Sequence, residues 1–300
     1  VVVANGICPR YGDIDTYHMA ACAIDEAIRN AVAVGGSLDF MAGIDNFCWC
    51  DPVQSEKTPD GEYKLAQLVR ANKALYDYTR AFGVPCISGK DSMKNDYNIG
   101  NVKISIPPTL LFSTMGRIDD ARKAVTLDAK RPGDLVYIVG ETYDELGGSE
   151  WYAMHGVIGN RVPKVNVEKA KALYRALSKA ISAGLVASCH DCSDGGAGIA
   201  IAETAFAGGL GMLIKLALFP SSGIRRNDTL LFSESQSRFV VTILPAAKKS
   251  FEAMMTGIAM GQVGEVLAEG LLKIDGLDGR RIIEEDISGL KAAWQKPLNF

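Results

Sequence analysis

The 300-residue chain has no run of about 18 apolar residues, so no segment reads as a membrane-spanning helix. It is also short of positive charge: 32 Lys and Arg stand against 35 Asp and Glu, a net charge of −3. The excess of basic side chains that phosphate-backbone binding demands is missing, which excludes nucleic acid as the default partner. Histidine is scarce: His18, His155 and His190 are the three, and none sits in triad spacing. There is no G-x-S-x-G elbow and no H-E-x-x-H helix, which removes the common hydrolase and zinc-protease patterns. Trp49, Trp151 and Trp294 are too dispersed to form a base-stacking platform. The opening residues VVVANG carry neither Met nor the layout of a secretory leader, and the expectation is a chain cut from something longer.

What is present is a soluble composition, 48% hydrophobic and 22% charged, with length for about two domains. The seven cysteines are an odd number and lie mostly in apolar runs, which points to a reducing, cytoplasmic setting rather than a disulfide framework. Residues 17–34 (YHMAACAIDEAIRNAVAV) read as a largely buried helix ended by Gly35-Gly36, and LAQLVRANKALYDYTRAFG as an amphipathic helix closed by Gly83. VPCIS reads as a short buried strand, with Gly89 opening a polar loop. The charged stretch ending in RPGD places a domain boundary near residue 120, dividing the chain into 1–120 and 121–300. Downstream, EKAKALYRALSKAISAG is a second amphipathic helix, and LVASCHD, GMLIKLAL, FVVTIL and GQVGEVLA read as strands. Helices and adjacent strands mix in both halves, so the fold class is α+β, or mixed α/β.

Four places carry candidate chemistry. Glu26 and Asn30 are one helical turn apart on one face, a carboxylate beside an amide oxygen of the kind Mg²⁺ accepts, or a solvated helix pair. Asp45, in GIDNF, falls where a strand runs into a loop, a usual mouth for ligands, or an Asx-capped turn. Ser88-Gly89-Lys90-Asp91-Ser92 has the ingredients of a phosphate cradle without Walker spacing. Cys189-His190-Asp191-Cys192-Ser193-Asp194-Gly195-Gly196 has one C-x-x-C and no second pair, so zinc is disfavoured. It reads instead as a strand end delivering Asp191 into a Gly-rich turn, with Ser193 or Asp194 capping the next helix, a start that favours phosphate oxygens. Glycine turns, a lysine and carboxylates leave phosphate-plus-magnesium chemistry standing.

Taken in order, RYGDIDTYHMAACAIDEAIRNAVAVGG, GIDNFCWCDP, GVPCISGKDSMKND, HDCSDGGAGIAIAE and LFSESQSRFVV resemble phosphoribosylformylglycinamidine synthase, specifically the C-terminal half of its synthetase part. That family is grouped with aminoimidazole ribonucleotide synthetase. The resemblance implies an N-terminal half-barrel α/β unit followed by a second α/β unit. It also implies a reaction in which ATP, with Mg²⁺, activates the amide of formylglycinamide ribonucleotide for displacement by glutamine-derived ammonia. It carries Glu26, Asn30 and Asp191 onto magnesium positions and Ser193 onto a nucleotide contact, in an auxiliary site of the large form of the enzyme. It carries Gly89 and Lys90 onto nucleotide and phosphate contacts and Ser92 onto a substrate contact, with Asp45 near a nucleotide contact. Lys90 stands where the small form has Asn, which leaves the metal-side role open between Lys90 and Asp91. Glu234, Ser235 and Gln236 resemble a substrate-contacting triplet, here in a pseudo-symmetric copy with a mainly structural role. The first synthetase half and the glutaminase are absent, so the implied partners are those missing parts. A half barrel with an uncovered face also implies that the chain self-associates.

Overall fold

The computed structural model describes residues 1–100 and 102–298. Its first sheet is formed by β1 (Val2–Ile7), β2 (Met41–Cys48), β3 (Cys86–Ser92) and β6 (Thr109–Gly116), in the order β1-β6-β2-β3. The pairings are antiparallel except for β2 with β3. The short strands β4 (Asp96–Ile99) and β5 (Val102–Ser105) pair only with each other. Helices α1 (Thr16–Ala33) and α2 (Gly61–Phe82) pack against one another, and α1 lies on β1 and β6. The alanine-rich sequence of α1 serves this closeness. A Cβ on Gly6 of β1 would stand 2.0 Å from the Ala23 carbonyl oxygen and 2.7 Å from the Ala27 nitrogen, so strand and helix backbones meet where only glycine fits.

The second sheet holds β7 (Leu135–Val139), β8 (Ser188–Asp191), β9 (Gly211–Lys215), β10 (Phe239–Ile243), β11 (Met260–Leu267), β12 (Leu271–Asp275) and β13 (Arg281–Asp286). Their order is β13-β12-β9-β11-β7-β10-β8, antiparallel throughout except for β12 with β9. Its helices are α3 (Glu150–Met154), α4 (Val167–Ser182), α5 (Gly196–Gly208), α6 (Asn227–Phe232), α7 (Lys248–Met254) and α8 (Ile287–Gln295). The continuous apolar runs of β7 and β10 follow from burial on both faces. Tyr137, Val139, Phe239 and Val241 join a core shared with α1 and α4, while Val136, Ile138 and Val240 join a second core with α5 and α6. The first of these cores runs without a break into the helices of the first sheet, so α1 is sandwiched between the two sheets.

The expected buried strand VPCIS is corrected. Cys86, Ile87 and Ser88 are exposed, and the strand runs on through Gly89-Lys90-Asp91 to Ser92 instead of opening into a loop. The physical reason is position: β3 is an edge strand, paired on one side only. The sheet face turned away from α1 also lies open, exposing Val3 beside its cross-strand partner Met115, together with Ile7 and Ile44. Among the described residues no helix is long and apolar enough to cross a membrane.

The glycines make a paired test. Gly6→Ala forces β1 off α1 and costs at least the roughly 1–3 kcal/mol of an overpacked core. Gly289→Ala, in α8 with open space around the added methyl, stabilises by about 0.5–1 kcal/mol. Urea denaturation of the two variants checks the opposite signs.

Candidate nucleotide and metal site

Two groups of candidate residues emerge. The larger one forms where α1 meets the end of β8. Asp15 caps α1, accepting the backbone N–H of Tyr17 at 2.8 Å. About three and four turns on, the helix turns Asp25 and Arg29 toward the second sheet. Arg29 is only 1% exposed. Its Nη1 donates to Asp25 Oδ2 at 2.6 Å and to Gln236 Oε1 at 2.8 Å, its Nε to Asp191 Oδ2 at 3.2 Å, and its Nη2 to Ser193 Oγ at 2.9 Å. Asp25 also accepts from Tyr174 Oη at 2.5 Å, Ser237 Oγ at 2.8 Å and Ser237 N at 3.0 Å. Ser237 holds a left-handed φ of 57°, strain that these bonds to Asp25 help sustain.

The α1 residue that Asp191 and Ser193 bond is thus Arg29, not the expected Glu26 or Asn30, and Ser193 Oγ also donates to Asp191 Oδ2. Burial pushes the Asp191 carboxyl upward, but the bond from His190 and the charge of Arg29 outweigh it and hold the group well below the carboxylate range. Glu26 behaves oppositely: burial raises it, Arg29 and the Ile7 amide oppose, and the charges of Asp191 and Asp194 raise it further. Its Oε2 accepts the Ile7 N–H at 2.8 Å and the Cys8 thiol at 3.4 Å. Asn30 donates Nδ2–H to the Asn5 carbonyl at 3.3 Å, which leaves its oxygen as the end suited to a cation. Asn30 and Asp191 line one open groove of about 490 Å³, together with His190, Thr126 and Asp128.

These observations test the fit of Mg²⁺. Two carboxylates and an amide oxygen are hard donors, and the raised Glu26 beside Asp191 and Asp194 marks a concentration of negative charge that a divalent cation would relieve. Glu26, Asn30 and Asp191 would hold the ion. Among the described residues no three His, Cys, Asp or Glu side chains stand together as a ready metal shell, and Cys189 and Cys192 are buried free thiols.

The expected helix cap is corrected. The residue at the start of α5 is Gly195 with a φ of 75°, and neither Ser193 nor Asp194 caps it, because Ser193 is drawn to Arg29 and Asp191. The Gly195 N–H goes instead to Glu234 Oε1 at 2.8 Å. Glu234 also accepts from Glu150 N at 2.9 Å and Tyr11 Oη at 2.6 Å. Burial pushes its carboxyl up to about 7 against these three donors. Ser235 bonds the Tyr143 backbone and Gln236 bonds Arg29, so the whole triplet is engaged within the protein.

The second group lies on β2 and β3. Asp45 pairs in register with Gly89, and a Cβ on Gly89 would stand 2.8 Å from Asp45 Oδ1. Burial, then the neighbouring Asp91 charge, lifts the Asp45 carboxyl. Strand alternation divides the rest. Lys90 and Ser92 share the open face with Asn46 and Cys48, whereas Asp91 shares the face of Asp45 and Gly89. The cradle expectation is corrected with it: Gly89 has no positive φ and lies in extended backbone, so glycine here serves close approach to Asp45 rather than a nest of N–H groups. Sequence reasoning passed over Arg29, Arg238 and Glu203. The available signal for Arg29 was an Asp25–Arg29 spacing of four inside an otherwise small and apolar helix.

The class follows from this architecture. Residues 131–276 match the family model described as AIR synthase related protein, C-terminal domain. Over nearly its whole length the chain is similar to phosphoribosylformylglycinamidine synthase subunit PurL: 32% identical over 292 residues to that of Alkaliphilus metalliredigens and 31% over 304 residues to that of Deinococcus radiodurans. It covers 37% and 39% of those relatives, so it spans about two-fifths of their length. Among solved structures, Thermotoga maritima PurL complexed with FGAR superposes with a TM-score of 0.75 at 20% identity, covering 96% of this chain and 45% of that one. The hydrogenase maturation protein HypE in complex with ATP superposes with a TM-score of 0.65 at 13% identity, covering 95% and 85%. The mixed α/β fold is therefore that of the AIR synthase-like proteins.

Two outcomes test this site. Arg29→Met leaves Asp25 and Asp191 buried without their cation and costs about 3–5 kcal/mol in urea denaturation. Glu234 gives a pH signature. The folded protein keeps a proton on it up to about pH 7, while the unfolded chain releases it near 4.5, so its contribution to stability is full below 4.5 and is lost as pH rises through 7. Between pH near 5 and pH near 8 the parent loses on the order of 2–3 kcal/mol more than Glu234→Gln.

Proposed function

We propose that this chain is part of the synthetase portion of an ATP-dependent ligase of purine biosynthesis, converting formylglycinamide ribonucleotide to the amidine with ammonia from glutamine. The reading rests on the likeness to PurL and on names of solved relatives: Thermotoga maritima PurL is described as complexed with FGAR, ATP, ADP and AMPPCP, and a PurLQS complex is among them. In this reaction the amide oxygen takes the terminal phosphoryl group of ATP, ammonia adds at the carbon, and phosphate leaves with that oxygen. Bound magnesium would supply charge neutralisation on the phosphate oxygens.

The single observation that carries the nucleotide reading is that Asn30 of α1 and Asp191 at the end of β8 line one groove, with Arg29 of the same helix bonding Asp191 and Ser193. Glu26, Asn30 and Asp191 take the metal, and Ser193 takes the nucleotide. In the family that the sequence resembles the matching site is auxiliary, and here too the reading is of a nucleotide bound for structure. Asp45, Gly89, Lys90 and Ser92 make this chain's contribution to the catalytic site, and Lys90, on the open face with Ser92, takes the phosphate-side role in preference to Asp91. Partners supply the remaining synthetase half and the glutaminase, and the setting is the cytoplasm. We divide the chain near residue 120, between the last strand of the first sheet and the first of the second.

Titration calorimetry with ADP, with and without Mg²⁺, tests the first group. The parent binds ADP in a magnesium-dependent manner without turnover, and Glu26→Ala and Asp191→Ala abolish that dependence. Unchanged binding in both variants refutes the assignment. Mixing with a matching N-terminal synthetase half and an ammonia source restores amidine formation, and Lys90→Ala lowers it. The open face of the first sheet makes the chain self-associate: light scattering reports a dimer that Ile44→Asp with Met115→Asp converts to monomer. A monomeric parent at high concentration would contradict this.

A further inference from the structure

Asp191 has one carboxylate oxygen committed and one to offer. Oδ2 receives Arg29 and Ser193, so Oδ1 is the oxygen left for a cation. His190 Nδ1 lies 3.5 Å from Oδ1. The other ring nitrogen of His190 is 2.7 Å from Glu203 Oε2, on α5. The second oxygen of Glu203 accepts the indole N–H of Trp294, on α8, at 2.9 Å. The Trp294 ring also packs against Phe206, one turn along α5 from Glu203, with centroids 5.8 Å apart. A continuous line of contacts thus runs from the surface of α8 through α5 to the end of β8, and His190 opens onto the same groove as Asn30 and Asp191.

We propose that His190, Glu203 and Trp294 form a positioning relay that fixes the Asp191 carboxylate for divalent-cation binding. This deepens the proposed nucleotide reading and rests on it. The logic is that of an outer shell around a metal ligand. A carboxylate anchored at one oxygen alone can still rotate, and a donor beside the second oxygen restricts that rotation. Glu203 fixes the His190 ring through its contact with the other ring nitrogen at 2.7 Å. Trp294 in turn holds Glu203 in the rotamer that reaches His190. Each of the three acts through Asp191.

The test uses the full chain, with Mn²⁺ as the probe in electron paramagnetic resonance titrations and thermal unfolding recorded alongside. His190→Ala and Glu203→Ala weaken Mn²⁺ affinity by roughly 10–100-fold, the usual cost of losing an outer-shell partner. His190→Asn, which places an N–H near the Nδ1 position, recovers most of that affinity. Trp294→Phe keeps the ring packing and removes only the N–H, giving a smaller loss in the same direction with unchanged unfolding temperature. Mn²⁺ affinity equal to the parent's in folded His190→Ala and Glu203→Ala overturns the relay and leaves the nucleotide reading standing. Losses that merely follow the drop in unfolding temperature, with no recovery in His190→Asn, overturn it too. A folded parent that binds no Mn²⁺ refutes Glu26, Asn30 and Asp191 as ligands, and the relay falls with them.

Discussion

A single buried guanidinium governs how the two halves of this molecule meet. Placing Arg29 away from water carries a desolvation penalty of several kcal/mol, recovered only when its donors are met with good geometry. The partners come from four places: Asp25 one turn back on α1, Asp191 at the end of β8, Ser193 in the turn beyond it, and Gln236 before β10. Displacing any of them strands a charge or a donor. The helix of the first sheet is thereby locked in register and rotation against the edge of the second, more specifically than the alanine-lined apolar contact around it could achieve. The candidate ligands inherit this precision. Glu26 and Asn30 flank Arg29 on α1, and Asp191 and Ser193 bond it directly, so the distance between the two contributing segments is set by the ion pair.

Much of the architecture was readable before any coordinates, and the reasons are local. The apolar period of α1 and α2, the Gly83 cap with its φ of 76°, and the doubly buried runs of β7 and β10 all write their environment into adjacent residues. The strand end that delivers Asp191 and the Gly-rich turn after it were legible from the run of polar and glycine residues there, whereas the pairing of Asp191 and Ser193 with Glu26 and Asn30 came only from the family resemblance. What stayed hidden depends on distant partners. Nothing near Glu234 says that Tyr11 will supply its hydroxyl, and nothing near Ser193 says that Arg29 will draw it away from capping α5. The exposure of β3 is similarly illegible: VPCIS reads as buried by composition, and only the strand order makes it an edge.

The way α5 begins bears on where a nucleotide can lie. A helix start above a Gly-rich turn is a ready anion site. Here that site is already filled by the protein's own Glu234, which takes the Gly195 N–H together with the N–H at the start of α3. A phosphate seeking the same N–H group would have to displace a buried carboxyl anchored by three donors. The polyphosphate of the proposed nucleotide would therefore lie on the other side of the turn, toward the groove lined by Asn30, His190 and Asp191. Charge points the same way. Burial and the neighbouring Glu150 charge lift the Asp194 carboxyl on the Glu234 side, where a phosphate would meet further negative charge. A cation held by Glu26, Asn30 and Asp191 would offset the negative charge that Asp191 and Asp194 place around Glu26, and so would let a polyphosphate approach.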